Sequence, residues 1–169
     1  MSLLKYINLK ENFKMRSEKI ITIILIVLWM ILVFYLSNQI ADDSAELSGG
    51  LTRKVLQILH IIDGKTVEEQ AIIETVFRKL AHFCLYTAGG ILILLHINLY
   101  KITGKRKILT SWFLGTAYAV TDEIHQLFIP GRSGEIRDVC IDSLGIIIGI
   151  ILLFKFLKFI ERRKKIGSE

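Results

Sequence analysis

Four stretches of this chain are apolar and roughly 20 residues long, the length a helix needs to cross a ~30 Å hydrocarbon layer. They cover residues 20–36, 80–99, 108–129 and 139–160. A backbone inside lipid must satisfy its own hydrogen bonds, so separate segments of this kind can only be helices. The reading is an all-α polytopic membrane protein with four transmembrane helices, in one domain over residues 1–169. A hydrophobic content of 52% supports it, being above the soluble balance. A signal peptide is the rival reading of the first stretch, because Lys and Arg precede it. Its apolar run is longer than a signal core, however, and Ser37-Asn38-Gln39 is a poor cleavage site, so it is read as a retained span.

The net charge of +6 fits either nucleic acid or anionic lipid. The positions of the charges decide for lipid. Most Lys and Arg flank apolar runs, and no nucleic-acid-binding motif is present, so no nucleic-acid partner is expected. Fifteen of them lie in the N-terminal tail, the loop at 101–107 and the C-terminal end; seven lie in the other connections. The positive-inside rule then puts both termini in the cytoplasm. Two cysteines, Cys84 and Cys140, fall in apolar segments and are expected to be small buried residues, with no disulfide framework.

The segment 37–79 lies outside under this threading and is too polar to span. Leu47, Leu51, Val55, Ile58 and Ile62 make a helical stripe, Asp63-Gly64 signals a turn, and Thr66-Val67-Glu68-Glu69 fits a capping box. These features predict two amphipathic helices on the extracytoplasmic side, either on the membrane surface or covering the bundle.

Residues 121–145 carry three Asp, two Glu, one His and two Arg between apolar runs. With the predicted threading they share one outer layer with Arg78, Lys79 and His82. Helical spacing puts Arg78, His82 and Tyr86 on one face, and Tyr118, Asp122 and His125 or Gln126 on another. A third face carries Asp138, Asp142, Gly145 and Gly149, acids above small residues that let a neighbouring helix come close. Short acidic side chains inside a membrane must face the bundle interior and find partners. Arg78, Arg132, Arg137 and His are the ones at hand. Pro130-Gly131 is expected to end the third span and turn Arg132 back over this layer, with Ser133 or Glu135 capping the fourth.

The stretches "FRKLAHFCLYTAGG" and "DEIHQLFIPGRSGEIRDVCIDSLG" resemble the VanZ-like family of bacterial membrane proteins. Lys79, His82, Phe83, Tyr86, Gly90, Glu123, Gln126, Pro130, Arg132, Asp138, Asp142 and Gly145 match its pattern, over about residues 75–150. Many relatives carry Asn where this chain has Asp142, which changes the protonation and partner available there. The resemblance implies a cell-envelope membrane protein; the founding member is linked to low-level resistance to teicoplanin, a lipid-bearing glycopeptide.

Three readings of the polar layer follow. In the first it is a site for an envelope lipid precursor or a lipoglycopeptide among membrane lipids. His82, Glu123 and Asp138 are then the acid–base candidates, and Arg78, Lys79, Tyr86, Asp122, His125, Gln126, Arg132 and Asp142 the ligand-binding ones. In the second, His82, Glu123, His125 and Asp138 bind zinc. Glu123 and His125 are two apart on a helix and point differently, and neither HExxH nor paired CxxC occurs, so no metal ligand and no cofactor is assigned. In the third the layer is a structural network that locks the bundle. The sequence assigns no oligomeric state.

Overall fold

A computed structural model describes residues 3–38, 51–129 and 134–166. The described residues are all-helical and contain no strand: α1 (Leu3–Ser37), α2 (Leu51–Ile58), α3 (Val67–Ile97), α4 (Lys105–Gln126) and α5 (Ile136–Ile166). Among the described residues, three stretches are long and apolar enough to cross a membrane: Phe13–Ser37, Val67–Ile97 and Ile136–Lys164. Their outward surfaces are apolar, with Ile24, Leu28 and Ile31 of α1 and Ile151, Leu152 and Phe156 of α5 all exposed. Exposed apolar faces of this extent require lipid, not water, around them.

The expected span at 108–129 departs from this pattern. It falls on α4, a 22-residue helix that does not reach the same apolar standard. The reason is visible in its inward face. Ser111, Asp122, Glu123 and Gln126 are buried, so its polar residues point at its neighbours.

Residues 37–79 also differ from the expectation. Only one separate short helix, α2, is described there. The second expected helix is instead the start of α3, which runs from Val67 into the membrane-length stretch without a break. The capping box itself forms: Thr66 Oγ1 accepts from the Glu69 N–H, and the Glu69 carboxylate accepts from the Thr66 N–H. No Pro or Gly follows until Gly89, so nothing stops the helix once it has started. Gly64 makes the preceding turn at a φ of 69°. The inward residues are Leu56 and Ile62, while Ile58 of the predicted stripe is exposed. Leu47 lies outside the described residues.

α3 is the central helix and touches each of the other four. Its closest neighbour is α5, and small residues explain why. A Cβ on Gly149 would stand 2.0 Å from the Thr87 carbonyl oxygen, and one on Gly145 would stand 2.7 Å from that of Phe83. From the other side, a Cβ on Gly90 would meet the Ile146 carbonyl oxygen at 2.4 Å. The two backbones therefore touch, as small-residue stripes in membrane helices allow.

α1 seals the bundle with Thr22, Ile26, Trp29, Val33 and Ser37, one residue per helical turn. Trp29 packs edge-on to Tyr86 at 5.7 Å between centroids and tilted to Tyr118 at 5.1 Å. Its indole N–H donates to the Leu85 carbonyl at 2.8 Å. Gly89 makes room for the ring, since a Cβ there would lie 2.2 Å from it. Cys84 and Cys140, expected to be buried, are both exposed, each on the side of its helix away from the contacts.

Candidate functional site

Three helix positions converge at one end of the bundle, where α1 and α4 end and α5 begins. Ser37 is the last residue of α1, Asp122, Glu123 and Gln126 close α4, and Asp138 and Asp142 open α5. α3 passes through this level with Lys79, His82 and Tyr86.

Asp122 is the hub. One carboxylate oxygen, Oδ2, accepts from Ser37 Oγ at 2.8 Å, from Tyr86 OH at 3.3 Å and from Gln126 Nε2 at 3.4 Å. A single side chain thus ties α1 and α3 to α4. Asp142 lies beside it with its Oδ2 facing His82 Nδ1 at 3.7 Å. Both Asp side chains are buried, at 3% and 2% exposure. The second oxygen of each, Oδ1, is buried and lacks a hydrogen-bond partner among the described residues. Leaving one such acceptor unpaired costs about 1–3 kcal/mol, more when it is charged. One carboxylate oxygen from each Asp and one ring nitrogen of His82 lie within 4.8 Å of one another.

A second group of charges forms a rim beside this cluster. The Lys79 ammonium pairs with Asp138, and with Glu135 at 3.6 Å. The Glu135 N–H donates to Glu123, which joins the start of α5 to the end of α4. His125 stands apart. Its ring stacks on Phe34 with centroids 4.3 Å apart, and its buried Nε2 has no partner among the described residues.

Of the residues singled out from the sequence, His82, Tyr86, Asp122, Gln126 and Asp142 meet in one cluster, and Lys79, Glu123 and Asp138 form its rim. Arg132 and the Pro130-Gly131 turn lie outside the described residues. Ser133 does too, and the Glu135 side chain pairs with Lys79 while its carbonyl accepts from the Asp138 and Val139 N–H groups.

Two of the three expected arginine partners are not found there: Arg78 and Arg137 are exposed and form no ion pair with the cluster among the described residues. Helical geometry gives the cause. At 3.6 residues per turn Arg78 sits about 80° around α3 from Tyr86, whereas Lys79 sits about 20° from it. Lys79 therefore turns inward and Arg78 outward.

The zinc set considered from the sequence is not assembled either. Among the described residues the grouping of potential ligands is His82, Asp122 and Asp142, while Asp138 is engaged by Lys79 and Glu123 by a backbone N–H. Sequence reasoning also missed Ser37. Its signal was available: it is a hydroxyl ending an apolar run, in register with Trp29 and Val33.

The opposite end of the bundle has its own polar contacts. His96 lies between Thr22 Oγ1 at 2.8 Å and Tyr100 OH at 3.2 Å.

Long apolar helices enclosing a buried carboxylate–imidazole–phenol cluster define a multi-pass helical membrane protein. Residues 22–158 match the family model described as VanZ/LLP1, and the chain belongs to that family. The matched range contains every residue of the cluster and its rim. No curated protein and no solved structure gives a significant match to the chain.

Proposed function

We propose that this protein binds the polar head of an envelope lipid or lipophilic ligand at the Asp122–Asp142–His82 cluster, and that it contributes in this way to tolerance of lipoglycopeptides such as teicoplanin. The observation that carries the reading is the pair of buried carboxylates whose second oxygens have no hydrogen-bond partner among the described residues. A purely structural network tends to satisfy its acceptors, because unpaired ones are costly in a dry interior. Unused buried acceptors suit a ligand that brings donors or positive charge.

In this reading α4 is a fourth crossing, sheltered by the three apolar helices, and the Lys and Arg distribution puts both termini in the cytoplasm of a bacterial cell. The cluster then opens outward, with Lys79, Arg78 and Arg137 at its edge. His82 is the group best suited to proton transfer, having a carboxylate oxygen 3.7 Å from its Nδ1 to orient the ring. Glu123 and Asp138 act on the rim by holding α4, α5 and Lys79 in place.

A second reading, a structural lock, draws support from the three donors that Asp122 gathers from three helices. Lipid identification by mass spectrometry on gently purified protein separates the two. A headgroup enriched with the parent and lost with a folded Asp142→Asn variant is the expected result. The same lipids with both proteins, or loss of the folded protein on substitution, would favour the lock.

A further inference from the structure

The cluster contains more negative charge than its described neighbours balance. Asp122 and Asp142 are both buried, and His82 is the basic group facing them. The Lys79 ammonium is engaged by Asp138 and Glu135 on the rim.

We propose that His82, Asp122 and Asp142 hold a divalent transition-metal cation, zinc or manganese. The donor set is one imidazole nitrogen and two carboxylates, the mixture such ions accept. Their ligating atoms lie within 4.8 Å of one another. Bonds of about 2.1 Å require separations of about 3–4 Å, so side-chain shifts under about 1 Å complete the site.

The hydrogen bonds around Asp122 fit this role. Ser37, Tyr86 and Gln126 all donate to Oδ2, which fixes the carboxylate's orientation and leaves Oδ1 without a partner among the described residues. Metal-binding carboxylates are oriented by outer partners of this kind. Three protein ligands leave coordination positions open. On the lipid-binding reading given above, a headgroup phosphate or carboxylate oxygen fills one of them. This also resolves an electrostatic conflict, because a bare pair of carboxylates would repel an anionic headgroup and a bound cation attracts it.

The test is cation binding by the full-length protein in detergent, stripped with chelator and titrated with Zn²⁺ alone and with Mn²⁺ alone. A His60→Ala, Cys84→Ser, Cys140→Ser background removes exposed groups that could bind metal adventitiously. Saturable binding of about one ion per chain is expected, weakened at least about tenfold by Asp122→Asn, Asp142→Asn or His82→Ala. It should be unchanged by His125→Ala.

Absence of saturable binding, or equal binding by the Asp122→Asn and Asp142→Asn variants, would overturn the proposal. If those variants do not fold, Co²⁺ absorption by the parent decides. A ligand-field spectrum indicates an ordered nitrogen–oxygen site, and the spectrum of free Co²⁺ counts against one. Because no lipid enters this titration, its outcome is independent of the headgroup reading. A parent that retains a lipid lost on Asp142→Asn, yet binds no cation, would sink the metal and leave the lipid site standing.

Discussion

Ser37 shows how much one hydroxyl can do in a membrane interior. It is fully buried, ends α1, and donates to the same Asp122 oxygen as Tyr86 and Gln126. Removing one of these donors leaves the acceptor with two others, so each loss should be moderate. Ser37→Ala and Tyr86→Phe are each expected to destabilise the protein by about 1 kcal/mol, read from thermal unfolding in detergent. If both variants melt with the parent, the Asp122 network contributes nothing to holding the helices together. His82, Tyr86, Asp122 and Asp142 were legible as polar residues at matching depth. Their individual partners were not, because a rotation of about 100° around a helix decides whether Lys79 or Arg78 faces inward, and spacing alone does not give the rotation of a helix against its neighbours.

At the scale of the element, α3 illustrates a start signal with no stop signal behind it. The capping box at Thr66 was readable, and it forms. What followed was read as an amphipathic helix distinct from the span. One continuous helix results, since no residue between Thr66 and Gly89 interrupts it. Thr66→Ala should cost about 1 kcal/mol and fray the first turn of α3, detectable as faster amide exchange at Glu68 and Glu69. The α3–α5 seam is more demanding. Gly149 faces the Thr87 carbonyl so closely that a methyl group must push the helices apart. Gly149→Ala is expected to cost about 1–3 kcal/mol, and Leu144→Ala, at an exposed position of the same helix, much less. Equal melting temperatures for these two variants would mean that the helices do not meet at Gly149. The glycine stripe on α5 was evident from its four-residue spacing; that α3 is the helix it admits became evident only in the packed bundle.

For the whole molecule, the sharpest expectation concerns threading. Four crossings put Lys65 outside and Lys105 inside. In a background lacking Cys84 and Cys140, an impermeant thiol reagent applied to intact cells should label a Lys65→Cys variant and spare Lys105→Cys until the membrane is opened. Labelling of both from one side would mean that α3, which joins them, does not cross, and the threading that puts the cluster on the outer side would fail. The sequence by itself determined that the chain is helical and lives in a membrane, because long apolar runs leave a backbone no other way to satisfy its hydrogen bonds in lipid. It also put His82, Tyr86, Asp122 and Asp142 at a common depth, since their distances along the runs set it. The tertiary structure decided what those residues do to one another. It turned the polar face of α4 inward, brought Ser37 of α1 onto Asp122, and left one oxygen on each of two buried carboxylates without a described partner. Those outcomes depend on how helices rotate and dock, and docking is governed by contacts between residues far apart in the chain.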